Sequence, residues 1–171
     1  MRHALWMLCA VVCVAASPIT QKPSPDDERI VIDGKKNPEL IPQWEAWGFA
    51  FRAINGGTRQ LPSNVHRLAS KEERAEVLAE AAANESRERA CRERIEKLRP
   101  LLGKEPRDVV RAKQHEIELD CRWQTLRARD RLLHHLRPEV AAQLIAFVED
   151  TKAGTTITMP KREFAFYRQP E

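Results

Sequence analysis

Between Ser70 and Leu136 the chain runs through two long, highly charged stretches broken only near Gly103–Pro106, and nothing else in the sequence leaves it fewer ways to fold. The first opens at Ser70, with Glu73 three residues on. That is the spacing of a capping box, in which the hydroxyl and the carboxylate each satisfy an orphan backbone N–H. Val77, Leu78, Ala81 and Ala82 form its apolar side, and Cys91, Ile95, Leu98 and Leu102 resume it beyond Asn84-Glu85-Ser86. The polar interruption predicts partial exposure in the middle of this helix. Pro100 and Gly103 place its end at either Arg99 or Leu102. The second stretch follows Pro106 and carries Val110, Ile117, Leu119, Trp123, Leu126, Leu132, Leu133 and Leu136, a face broad enough to touch two neighbours. Two helices of about 30 residues would each be about 45 Å long. They fold most simply into an antiparallel helical hairpin across the Gly103–Pro106 turn.

Shorter helices flank the expected hairpin. One begins near Asn37-Pro38, with regular turns from about Ile41 because Pro42 intervenes. Leu40, Trp44, Trp47, Phe51 and Ile54 recur at helical steps along it, and Asn55-Gly56-Gly57 supplies left-handed residues to stop it. Another starts at Pro138-Glu139, presents Ala141, Leu144, Ile145 and Val148 on one side, and closes at Ala153-Gly154. The expected fold class is therefore all-α, with a helical domain over residues 37–154. Residues 17–36 read as an extended spacer, since Ser17 to Asp27 holds three prolines and little to bury. Within it, Arg29 to Asp33 is β-prone, able to form one strand or to lead into the helix, and a lone strand makes no sheet. Residues 155–171 read as an extended C-terminal tail, with β-prone runs at Thr155–Met159 and Glu163–Tyr167.

The N-terminus sets the address. Arg2 and His3 precede an apolar run from Ala4 to Ala16, and Val14-Ala15-Ala16 offers the small residues that a signal peptidase accepts. The run is short for a bilayer crossing, which needs roughly 20 residues. Residues 1–16 are thus expected to act as a cleaved signal peptide, leaving no stable membrane span and a periplasmic or extracellular protein. Lipid anchoring is not expected, because neither Leu8 nor Val12 is the small residue that precedes a lipidated cysteine. Positive charges exceed negative by only four and both signs interleave, which argues against nucleic acid as a partner.

After cleavage two cysteines would remain, Cys91 and Cys121, on facing helices. Their offset depends on where the first helix ends. A stop at Arg99 leaves them about 9 Å apart along the axis, whereas continuation to Leu102 reduces this to about 4.5 Å. Since bonded cysteines need Cα atoms within about 7 Å, a disulfide and a pair of buried free thiols both stand. The run His115-Glu116-Ile117-Glu118-Leu119-Asp120-Cys121 contains metal-ligating types, but no second CxxC or HxxxH completes a site, and it reads as a solvated flank. His134 and His135 splay apart on a helix, and His66 stands alone. No nucleophile elbow, phosphate-cradling glycine loop or paired nucleophile and base is present as a motif, so neither catalytic residues nor a cofactor or metal is expected. Trp44 and Trp47, with Phe49 and Phe51, form the densest aromatic cluster. Its spacing fits docking of the first helix onto the hairpin. The alternative is a partner contact through Trp44, Trp47 and Phe49.

Two resemblances bear on this reading. The run Ile32-Asp33-Gly34-Lys35-Lys36-Asn37-Pro38-Glu39-Leu40-Ile41-Pro42, leading into Trp44 to Phe51, is similar to the opening of a group of small exported bacterial proteins of uncharacterised function. Leu136-Arg137-Pro138-Glu139 and Phe147-Val148 match the close of that group in outline, with Arg137 where the group has a capping serine. A looser likeness, in architecture and address alone, is to the Spy-like periplasmic chaperones, whose LTxxQ motif this chain lacks. The first resemblance carries no known activity and implies export and a shared fold alone. With the helical build and the missing catalytic motifs, the chain is expected to be an exported, non-enzymatic interaction or structural module of the bacterial cell envelope, its partner an envelope protein or an unfolded client. The alternatives are a Spy-like chaperone or stress sensor acting on unfolded clients, and an enzyme of unrecognised class. A homodimer is compatible with the leftover apolar stripes of such a hairpin.

Overall fold

A computed structural model describes residues 28–56 and 61–168. The expected signal peptide at 1–16, the proline-rich part of the spacer up to residue 27, Gly57 and residues 169–171 lie outside the described residues. The described chain is mostly helical, in the order β1 (Arg29–Asp33), α1 (Gln43–Asn55), α2 (Ser63–Leu68), α3 (Lys71–Glu96), α4 (Arg107–His135), α5 (Pro138–Ala153), β2 (Thr156–Pro160) and α6 (Lys161–Tyr167). Short 3₁₀ turns at Pro38–Leu40 and Arg99–Leu101 introduce α1 and follow α3. Among the described residues, no helix is long and apolar enough to cross a membrane.

The all-α expectation is corrected at both ends of the domain. β1 and β2 pair antiparallel, with Arg29 opposite Pro160, Ile32 opposite Ile157 and Asp33 opposite Thr156. The β-prone run near the start thus finds its partner more than a hundred residues later, in the segment expected to be a loose tail. Alternation turns Ile32 and Met159 into the core and leaves Val31 outside. Gly34 lets β1 leave the sheet against the end of α5. Its N–H donates to the Thr155 carbonyl at 2.8 Å, and a Cβ there would stand 2.0 Å from the Lys152 carbonyl oxygen. The rest of the expected tail, including Glu163–Tyr167, is helical in α6.

Helix starts follow local chemistry. Ser70 and Glu73 form the reciprocal capping box: Glu73 N–H donates to Ser70 Oγ at 3.2 Å, and Ser70 N–H donates to Glu73 Oε2 at 2.8 Å. Pro42 and Pro106 sit just before α1 and α4, where their missing N–H costs nothing. Gly56, expected to be left-handed, ends α1 in an extended conformation at φ −70°. Among the described residues the left-handed glycine is Gly103, at φ 84° in the link from α3 to α4.

The main core is gathered at one end of the long helices. Trp47, Phe51 and Ile54 from α1, Val65 from α2, Val77 and Ala81 from α3, Leu132 from α4, and Val140, Leu144 and Val148 from α5 are all buried there. Helix α1 packs against α3, α4 and α5, as its apolar stripe requires. Beyond Asn84, α3 has no fully buried residue; there Arg52 and Asn55 of α1 donate to Glu88 and Glu85, both at 2.6 Å, and α4 packs alongside. The partners run in opposite numerical order: Asn84 meets Thr125, Cys91 meets Cys121 and Arg94 meets Asp120. The middle of the helix is partly exposed, as the polar interruption predicts, with Glu85 and Ser86 on the surface, while Asn84 itself is wholly buried. Its amide donates to Glu88 at 3.0 Å and its carbonyl accepts from Thr125 at 3.4 Å, so a polar pair takes the place of apolar packing. Trp123 is the opposite case, 47% exposed on the outer face of α4 where the apolar pattern put it in the core.

Candidate functional site

Two features of the described chain carry chemistry: a covalent tie between the long helices and a cleft between α4 and α6. The sulfurs of Cys91 and Cys121 are bonded at 2.03 Å, with Cα atoms 6.3 Å apart. The 3₁₀ turn at Arg99–Leu101 carries the helical rise of α3 beyond Glu96, close to the longer of the two registers that the sequence allowed. Beside the bond, Arg94 donates to Asp120 at 2.6 Å and Lys113 to Glu105 at 2.7 Å. Asp120 is held below the usual carboxylate range, chiefly by the Arg94 hydrogen bond. Bonding also withdraws Cys121 from the group of metal-ligating types around His115. Among the described residues no cluster of three His, Cys, Asp or Glu side chains is placed to hold a metal ion.

The cleft has a volume of about 370 Å³. One wall is the face of α4 that carries Arg111, His115, Glu118 and Arg122, residues that share a side because they recur at three- and four-residue steps. The other wall is α6, with Arg162, Phe166 and Tyr167, and Met159 of β2 closes the floor. Pairing of β2 with β1 therefore puts α6 in place. His115 meets the Phe166 ring edge-on at 5.3 Å between centroids. The Arg122 guanidinium lies 4.4 Å above the Trp44 ring and donates to the Phe166 carbonyl at 3.4 Å. Trp44 in turn receives Tyr167 edge-on at 5.9 Å.

Behind the cleft lies a buried polar group. Burial raises the pKa of Glu45, with Arg52 and Arg122 opposing the rise. Burial likewise raises that of Tyr167, helped by the charge of Glu45. It lowers that of Arg122, against the pull of Glu118 and Glu45. The Tyr167 hydroxyl is buried with no hydrogen-bond partner among the described residues. The lining side chains offer cationic and acid–base groups beside aromatic surface, with no serine, threonine, cysteine or lysine among them.

The aromatic residues considered for a partner contact are separated by the fold. Trp47 is 1% exposed and belongs to the core. Trp44 is half-buried beneath Arg122, and Phe49 is half-buried beneath the Arg52 guanidinium at 4.6 Å. His115 and Glu118, expected on a solvated flank, line the cleft, and Arg111 and Arg122 join them at helical spacing. His134 and His135 are both exposed at the far end of α4.

Arg137 ties two helix starts together. Its backbone N–H and its guanidinium both donate to the Glu73 carboxylate, at 2.9–3.2 Å, and Nη2 also donates to the Leu68 carbonyl at 2.7 Å. One side chain at the start of α5 thereby grips the start of α3. No known protein family, no curated protein and no solved structure matches this chain.

Proposed function

We propose that the chain is an exported, non-enzymatic helical interaction module of the bacterial cell envelope. Residues 1–16 direct it to the periplasm or the extracellular space. Helices α3 and α4 serve it as a stiff antiparallel hairpin, and the cleft between α4 and α6 is its contact face. The Cys91–Cys121 bond carries this reading, because stable structural disulfides belong to oxidising compartments and are rare in the cytosol. The apolar run ending at Val14-Ala15-Ala16 supports the same address. Large exposed apolar side chains are divided among Val31 on β1, Leu68 on α2, Leu102 in the link from α3 to α4, Val109 and Trp123 on α4, Ile145 on α5 and Phe166 on α6. That distribution favours a specific contact over the contiguous apolar groove that a Spy-like chaperone would need for unfolded clients.

The test is intact-mass analysis of protein expressed from its own start codon in a Gram-negative host and recovered by fractionation. The expected product comes from the envelope fraction, lacks residues 1–16, and is alkylated at two thiols only after reduction. A full-length cytoplasmic product with all four thiols free would overturn the proposal.

A further inference from the structure

We infer that the cleft between α4 and α6 binds a small organic carboxylate, its acid group held by Arg111, Arg122 and Arg162 and its apolar tail laid against Met159 and Phe166. The inference deepens the binding-module reading and rests on it. Arg111 and Arg162 line the cleft without a carboxylate within ion-pair distance among the described residues. On the outer half of the molecule, by contrast, Arg94 is paired with Asp120 across the helix interface and Lys113 with Glu105 of the link before α4. Arg122 is held in orientation by Trp44 below and the Phe166 carbonyl beside it. A planar guanidinium so fixed presents its remaining donors as a fork that matches a carboxylate.

The acids of the cleft set the charge of the ligand. Glu118 is engaged by Gln114 at 2.8 Å, and Glu163 stands on the opposite wall. Three arginines against two glutamates leave an excess of one positive charge, which suits a monoanion, while the two carboxylates repel a polyanion. The aromatic and thioether surface of Phe166 and Met159 offers nothing to a bare inorganic ion but covers an apolar tail. Tyr167 adds a buried hydroxyl with an unused donor next to Arg122.

Isothermal titration calorimetry on the purified, oxidised chain tests the assignment with three probes: 3-phenylpropionate, its neutral counterpart 3-phenylpropan-1-ol, and inorganic phosphate. Saturable binding of 3-phenylpropionate is expected, with the alcohol and phosphate both much weaker. The double variant Arg111→Gln/Arg162→Gln, whose side chains make no hydrogen bond or ion pair among the described residues, should lose about tenfold or more in affinity while keeping its melting temperature. Arg131→Gln, on an exposed position of α4, should bind as the parent does. Equal binding of the alcohol, equal binding of phosphate, undiminished binding by the double variant, or no saturable binding of 3-phenylpropionate would each overturn it. None of these readouts depends on export, so failure here is separable from failure of the fractionation test.

Discussion

Glu73 joins two helix starts with one carboxylate. It completes the capping box with Ser70 and accepts from both the backbone and the guanidinium of Arg137. The Arg137 side-chain hydrogen bond is the largest cause that lowers its pKa, from 4.5 to about 2. A carboxylate whose pKa is depressed on folding stabilises the native state above its unfolded value and loses that contribution as pH falls through the folded one. The denaturant midpoint should therefore decline between about pH 4.5 and pH 2, and Glu73→Gln should flatten that part of the profile. At Trp47, 1% exposed, truncation to alanine should cost about 3–5 kcal/mol. At Trp123, 47% exposed, the same change should cost less than about 1 kcal/mol, and urea melts of the two variants measure the contrast. Gly34→Ala should destabilise by about 2–4 kcal/mol, because the added Cβ meets the Lys152 backbone and not a side chain that can swing aside. The role of Trp47 was legible in the sequence from the stripe Trp47, Phe51, Ile54. The exposure of Trp123 was not, since α4 carries apolar residues around much of its circumference and periodicity does not say which side finds a neighbour.

The two long helices differ along their length. Near their core ends they pack into the apolar core with α1 and α5, whereas beyond Asn84 α3 meets α1 only through the polar pairs Arg52–Glu88 and Asn55–Glu85, and the first half of α4 meets α6 across the open cleft. There the Cys91–Cys121 bond closes a loop with a sequence separation of 30, which in the chain-entropy view is worth roughly 3.5 kcal/mol. Cys91→Ser/Cys121→Ser should thus lower the melting temperature by on the order of 10 °C, as read by calorimetry. The capping box and both long helices could be read from residue types and spacing, because those signals act within a few residues. The sheet could not, because Arg29–Asp33 and Thr156–Pro160 are each ambiguous alone and acquire meaning only from pairing across the whole domain. Glu163–Tyr167 shows the same limit: its β-prone composition gives way to a helix that seats Tyr167 in the core and leaves Phe166 facing the cleft. The cleft stayed hidden for that reason, since one of its walls was expected to be a loose tail.

The whole molecule combines an apolar core at one end with a covalently tied helix pair at the other. The small sheet closes the core and carries α6 to the side of α4, so pairing of β2 with β1 positions one wall of the candidate binding face. This division of labour is the central claim, and amide hydrogen exchange with the Cys91–Cys121 bond intact and then reduced tests it most directly. Reduction is expected to speed exchange across residues 85–121 while residues 73–81 of α3 and 126–148 of α4 and α5 keep their protection. Loss of protection across both regions alike, or no change in residues 85–121, would contradict it.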